Sequence, residues 1–293
     1  MEYFISLFIL ASINVILATS FNLILGYGGL LSVAQPIFFA IGAYCSALIA
    51  IYFDIPIFLS IIFASFIAGV FAFGVSLPSL RVSGDYLVVS TLGFQLGTLH
   101  IINNIEITGA AGGLSNIPPL ISHPYRSLLT LLIVVCFAVL SIWMVRKIMR
   151  SAYGRAITAL RNDEIAFSSL GRNPIRIKVL IVALSAAMAG FAGGIYSHYY
   201  LYVTPEQFGI FATATLLTMV VIGGAGTVLG PAFGAIIITT LPEIITFLNL
   251  PVSIMAPLQG VIFTGLVLIF IFVKPSGLIG STRGLDGLEI WKK

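Results

Sequence analysis

The sequence predicts an all-α polytopic membrane protein of about nine membrane-crossing helices, eight to ten at the limits, with broken or re-entrant glycine-rich segments. Three observations predict it. Of the 293 residues, 59% are hydrophobic and only 8% charged, whereas a water-soluble domain carries about a quarter charged residues. Apolar runs repeatedly approach or exceed ~20 residues, the length a helix needs to cross ~30 Å of hydrocarbon. Those runs are continuously apolar, without the short alternating pattern of a spanning β-barrel.

The first run, 3–25, has no basic leading region and is followed by many others, so it reads as a retained helix and not as a secretion signal. After Asn22 the chain reads LGYGGLLS over 25–32. Glycines there let the backbone leave helical geometry and expose amide and carbonyl groups that could meet a zwitterionic solute. Asn22, Gly26, Gly28, Gly29, Ser32 and Gln35 are therefore pathway candidates, with helix caps, turns and interhelical bonds as the plainer use of the same residues. Runs 33–53 and 57–77 follow, then 86–103, which places Thr91 and Gln95 four apart on one face. Both join the pathway candidates. Asp85 lies beside Arg81 in the turn SLRVSGDY, where local pairing or water can satisfy it. TGAAGGLS over 108–115 is a flexible connection, and 128–145 is the fifth run.

Residues 146–178 hold eight basic side chains against Asp163 and Glu164, a net of +6 that exceeds the +4 of the whole chain. Ala156, Ile157, Ala159, Leu160, Ile165, Ala166, Phe167 and Leu170 recur at helical spacing, 161–164 interrupt them, and Gly171 with Pro174 supplies a stop. The pattern predicts a short amphipathic element across the cytoplasmic face. It can cover the ends of the spans, rest on lipid headgroups or dock into a soluble partner.

Runs 179–201, 208–222, 228–248 and 252–273 complete the set. Gly190 and Gly194, and Gly226, Gly230 and Gly234, repeat every four residues and are expected to line helix faces that another helix approaches closely. Glu243 follows Pro242 within an apolar run; it is either a cap or water-facing boundary group, or a pathway or interface group. With 146–178 in the cytoplasm, alternation puts 13 of the 14 Lys and Arg residues inside and only Arg126 outside. Glu2, Asp54, Glu106 and Glu206 then lie outside, which predicts an external N-terminus.

Several function classes are excluded. The predicted pI of 9.1 follows from this charge asymmetry and does not call for nucleic acid. Cys45 and Cys136 fall in separate apolar runs and make neither a disulfide nor a metal site. His100, His123 and His198 are far apart, the first and last near outer boundaries. GGAGTVLG over 223–230 lacks the lysine of a phosphate-binding loop, so the chain is not expected to hydrolyse ATP or to be an enzyme. The deep parts of the runs hold almost no ionisable groups, which argues against an ion-coupled secondary transporter, the rival class.

GRAITALRNDEIAFSSLG at 154–171 resembles the signature cytoplasmic segment of the LivM-type inner-membrane permeases of branched-chain amino acid ABC transporters. SFNLILGYGGLLSVAQPIFFAIGAY at 20–44, LRVSGDYLVVSTLGF at 80–94, TGAAGGLSNIP at 108–118, MVVIGGAGTVLGPAFGA at 219–235 and LPE at 241–243 are similar to that family in the same order. The resemblance implies a single permease domain over 1–293 in a bacterial or archaeal cytoplasmic membrane. It implies a LivH-like second permease, two cytoplasmic ATP-binding subunits that hold ATP and Mg, and an extracytoplasmic solute-binding protein. Branched-chain or related apolar amino acids are the expected cargo, with urea or short amides as the alternative. The segment 155–171 becomes a coupling helix, with Arg155, Arg161, Asp163, Glu164, Ala166 and Gly171 as its ATPase-coupling residues. Glu164-Ile165-Ala166 replaces the general EAA triplet of importers, and Gly171 comes one residue late.

Overall fold

The computed structural model describes residues 2–80, 84–121, 126–246, 265 and 277–279. Among them are ten α-helices and a single isolated β-bridge, Leu114 to Val203. Helix α1 spans Glu2–Asn22 and runs into a wider π turn at Leu23–Tyr27. Then come α2 (Gln35–Phe53), α3 (Ile57–Ser79), α4 (Asp85–Asn104) and α5 (Arg126–Arg150). The charged segment forms α6 (Ala152–Asn162) and α7 (Glu164–Ser169). Helices α8 (Pro174–Tyr200), α9 (Ile210–Gly223) and α10 (Gly230–Thr246) follow.

Eight of the nine expected runs fall on helices, and the ninth, 252–273, lies outside the described residues except for 265, while Arg81, His123 and the basic tail lie outside them altogether. Among the described residues five segments are long and apolar enough to cross a membrane: Glu2–Tyr27, Gln35–Phe53, Ile57–Ser79, Ser127–Arg150 and Pro174–Tyr200. Helix α9 is apolar but shorter, at 14 residues. At 1.5 Å per residue it reaches only about 21 Å. Helix α4 ends in polar residues, with His100, Asn103 and Asn104 in its last turns.

Helix α8 is the centre of the molecule, packed by α2, α3 and α1. It can be central because its faces are shaved. A side chain on Gly42 of α2 would collide with the Gly190 backbone, one on Gly193 with the backbone at Phe39, and one on Gly190 would come within 2.5 Å of Ala68 Cβ in α3. Gly194 faces Ile61 and Ser46. Lipid tails are as apolar as leucine, so close backbone approach and dispersion hold such helices together. The opposite faces of α3 and α5 leave Phe63, Phe66, Leu132, Val139 and Trp143 exposed, as a hydrocarbon environment requires.

The expected glycine stripe 226–230–234 does not share one helix face. Helix α10 starts only at Gly230. Gly226, with φ +78°, belongs to the turn after α9, a conformation that costs an L-residue and is open to glycine. The Thr227 hydroxyl accepts from the Gly230 amide at 3.1 Å and so starts α10 there. Gly230 and Gly234 are both packing positions within α10, the first set against the Gly223 backbone and the second against the backbone at Met219 in α9.

Candidate functional site

The charged segment is ordered by local chemistry. At the exit of α5 the Ser151 hydroxyl accepts from the Tyr153 amide at 3.2 Å, and Gly154 packs directly on the Met149 carbonyl. Ala156, Ile157 and Leu160 turn α6 inward, while Arg155 is exposed. Asp163 is extended, with φ −156°, and breaks the helix. Its Oδ1 then accepts from the amides of Ile165 and Ala166, both at 2.9 Å, starting α7 as an N-cap. Phe167 is the buried anchor of α7. Ile165 and Leu170, each 79% exposed, are left on its outer side with Ala166. Glu164 receives two hydrogen bonds from the Lys178 ammonium at 2.7 Å, fastening α7 to the first turns of α8. Gly171 lies in the turn that follows, where Asn173 and Pro174 begin α8.

Next to this segment lies the break after α1. The carboxamide of Asn22 is used at both ends: Nδ2 donates to the Thr227 carbonyl at 2.8 Å and Oδ1 accepts from the Gly226 amide at 2.9 Å. Asn22 therefore clamps the α9–α10 turn onto the end of α1. Arg161, at the end of α6, donates from Nη1 to the Gly26 carbonyl at 2.6 Å. The coupling candidates and the pathway candidates thus meet. Gly28 and Gly29, together with Arg161, Glu164 and Lys178, line a cleft of about 200 Å³.

The remaining pathway candidates form two buried polar knots. Gln35 Nε2 donates to Ser20 Oγ at 2.9 Å and Ser185 Oγ at 3.1 Å, and Ser185 Oγ donates to the Ser20 carbonyl at 2.5 Å, tying α1, α2 and α8 together. Gln95 Nε2 donates to Thr213 Oγ1 at 2.9 Å and to the Phe208 carbonyl at 3.1 Å, holding α4 to the start of α9. Thr91 Oγ1 accepts from the Val33 amide at 3.2 Å, and Thr213 Oγ1 donates to the Val33 carbonyl at 3.4 Å. The unwound stretch that contains Ser32 is thereby pinned from both sides.

Two features escape sequence reasoning. His198, in the last turn of α8, is fully buried within the protein, with Nδ1 2.8 Å from the Pro118 carbonyl and Nε2 3.0 Å from Ser46 Oγ. A carbonyl can only accept, so Nδ1 carries the proton and Nε2 accepts from the serine. Ser60 of α3 adjoins Ser46 at 3.2 Å. No spacing in the sequence relates these residues; a histidine inside an apolar run is the one available signal. Glu243 accepts from the Tyr3 hydroxyl, joining α10 to the start of α1, which makes it a contact between helices.

The sequence matches the family described as branched-chain amino acid transport system, permease component, over residues 3–272. The chain belongs to this permease family. Among curated relatives, the high-affinity branched-chain amino acid transport system permease protein LivM of Escherichia coli K12 is 32% identical over 301 residues, covering 94% of this chain and 69% of the relative. The probable branched-chain amino acid transport permease protein LivM of Methanocaldococcus jannaschii is 29% identical, covering 75% of this chain and 67% of its own. The autoinducer 2 import system permease protein LsrC of Yersinia pestis is 25% identical, covering 70% and 58%. No solved structure matches. For a permease of this family, the bonds from Arg161 and Asn22 lie where the charged segment touches the interrupted helices.

Proposed function

We propose that this chain is the membrane-spanning permease subunit of an ATP-driven importer for branched-chain or related apolar amino acids. The family match over residues 3–272 carries the reading. In it, residues 1–293 form one permease domain of about nine spans in a bacterial or archaeal cytoplasmic membrane, with 146–178 and the basic tail on the cytoplasmic side. A second, LivH-like permease completes the path. Two cytoplasmic subunits bind ATP and Mg, and an extracytoplasmic protein delivers the solute.

Geometry supports the division of labour. Helix α7 is a short rigid prong, capped by Asp163, braced by the Glu164–Lys178 pair and presenting Ile165, Ala166 and Leu170 outward. Such a prong suits docking into an ATPase groove, because its orientation is fixed before contact and little ordering entropy remains to be lost. On the opposite side of the same segment Arg161 touches the break after α1. The stretch from Gly28 to Gln35 is the part of the path that changes. Its backbone is held by Thr91 and Thr213 through hydrogen bonds that a zwitterionic solute can replace. At Val33 the partners are the neutral hydroxyls of Thr91 and Thr213, in keeping with a cargo of no net charge, whereas the charged Arg161, Glu164 and Lys178 stand at the Gly28–Gly29 end.

Purification of the chain from its native membrane in mild detergent tests the reading. The expected complex contains a second permease and two copies of ATP-binding subunit, and in proteoliposomes it accumulates leucine only with ATP, Mg and the solute-binding protein. Accumulation by the isolated subunit, driven by an ion gradient, would refute it.

A further inference from the structure

We propose that Arg161 is the positioning residue that carries movement of α6–α7 into the membrane, with the Gly26 carbonyl as the point on which it acts. The inference rests on the reading of this chain as a permease driven through that segment.

At the break after α1, among the described residues, a side chain takes the place of the missing helical amide. In a continuing α-helix the Leu30 amide would donate to Gly26. Here it donates instead to the Ile24 carbonyl at 3.1 Å, and the Gly28 amide donates to Leu23 at 2.9 Å. The Gly26 carbonyl is left at the negative end of α1, where a cation is favoured. Arg161 supplies it, across 135 positions of sequence, at 2.6 Å.

The surroundings fit this arginine in particular. Gly29 has φ +65°, and a Cβ there would stand 2.9 Å from Arg161 Cγ and 3.4 Å from Cδ, so the stem lies across a position that has to stay bare. On the other side a Cβ on Gly226 would stand 3.5 Å from Arg161 Nη1 and 3.2 Å from the Gly26 carbonyl oxygen. Since Asn22 bonds the Gly226 amide and the Thr227 carbonyl, the two breaks are one body at this point. Moving Arg161 displaces the end of α1 and the α9–α10 turn together. The adjoining cleft, lined by Gly28, Gly29, Leu31, Gly84 and Leu87 as well as Arg161, gives the loop space into which to shift.

The test uses the complete transporter in proteoliposomes, with leucine uptake and ATP hydrolysis measured on the same preparation. Arg161→Gln is expected to lower leucine molecules imported per ATP by about tenfold, as the charge-assisted bond to the Gly26 carbonyl is lost. Arg161→Lys, which keeps a cation able to reach one carbonyl, is expected to recover part of the ratio. Gly29→Ala leaves the guanidinium in place but displaces its stem, and is expected to lower the ratio as well. A ratio within about twofold of the parent in Arg161→Gln would overturn the proposal. So would uptake and hydrolysis falling in step, because that pattern belongs to a docking or folding role. Where Arg161→Gln does not assemble with its partners, the ratio in Gly29→Ala decides by the same criterion. ATP-independent uptake by the unaltered complex would remove the transporter reading itself, whereas an unchanged ratio removes this proposal alone.

Discussion

Asn22 shows how much one amide does inside an apolar protein. A carboxylate of the same shape could accept from Gly226 but would face the Thr227 carbonyl without a proton to offer. Asn22→Asp is therefore expected to destabilise the protein by about 1–3 kcal/mol, the cost of an unmatched buried polar pair. It should appear as a lowered apparent Tm in detergent. Asp163 is simpler. It caps α7 with two bonds, and Asp163→Ala should cost about 1 kcal/mol locally. Hydrogen exchange would show lost protection at the amides of Ile165 and Ala166. Both residues are legible in the sequence as kinds of feature, an amide before a glycine cluster and a polar break between two apolar repeats. The partner of Asn22 is not legible, since Thr227 lies 205 positions away and pairing over such a distance leaves no local pattern.

Among elements, α8 is the one on which the others depend. Gly42 of α2 meets the backbone of Gly190 in α8, so the two helices touch with nothing between them. Gly42→Leu is expected to cost at least about 3 kcal/mol through forced separation, beyond the usual penalty of an overfilled core. Loss of the folded fraction in fluorescence-detected size-exclusion measures it. Helix positions were readable because apolar run length is a local quantity, and eight runs coincide with helices to within a few residues. The glycine series at 226, 230 and 234 misleads because spacing alone does not reveal that the helix begins only at the second member. The burial of His198 was not legible either: its place near a helix end is visible in the sequence, but the Pro118 segment that covers it lies 80 positions away.

At the level of the whole molecule, α7 presents Ile165 and Leu170 outward while α6 reaches the break after α1 through Arg161, and the proposed function assigns the first face to a partner and the second to the path. Glu164→Gln leaves the buried Lys178 ammonium without its counter-charge. Because Glu164 is about half exposed, the cost to stability is modest, about 1 kcal/mol. The larger expected effect is on solute-stimulated ATP hydrolysis by the complex, which should fall several-fold, about what one kcal/mol of misorientation yields. Gly171→Val is expected to act likewise, and subunit abundance on immunoblots should be unchanged for both. Stimulation equal to the parent would disconnect α7 from the motor. The join between α5 and α6 bears on the same question. Gly154 sits hard against the Met149 carbonyl, leaving no slack at the corner, and among the described residues α5 packs mainly against α1. On the proposed function, a push on α6 would reach α5 through this tight corner, and a stiffer or thicker bilayer around α5 is then expected to slow each transport cycle.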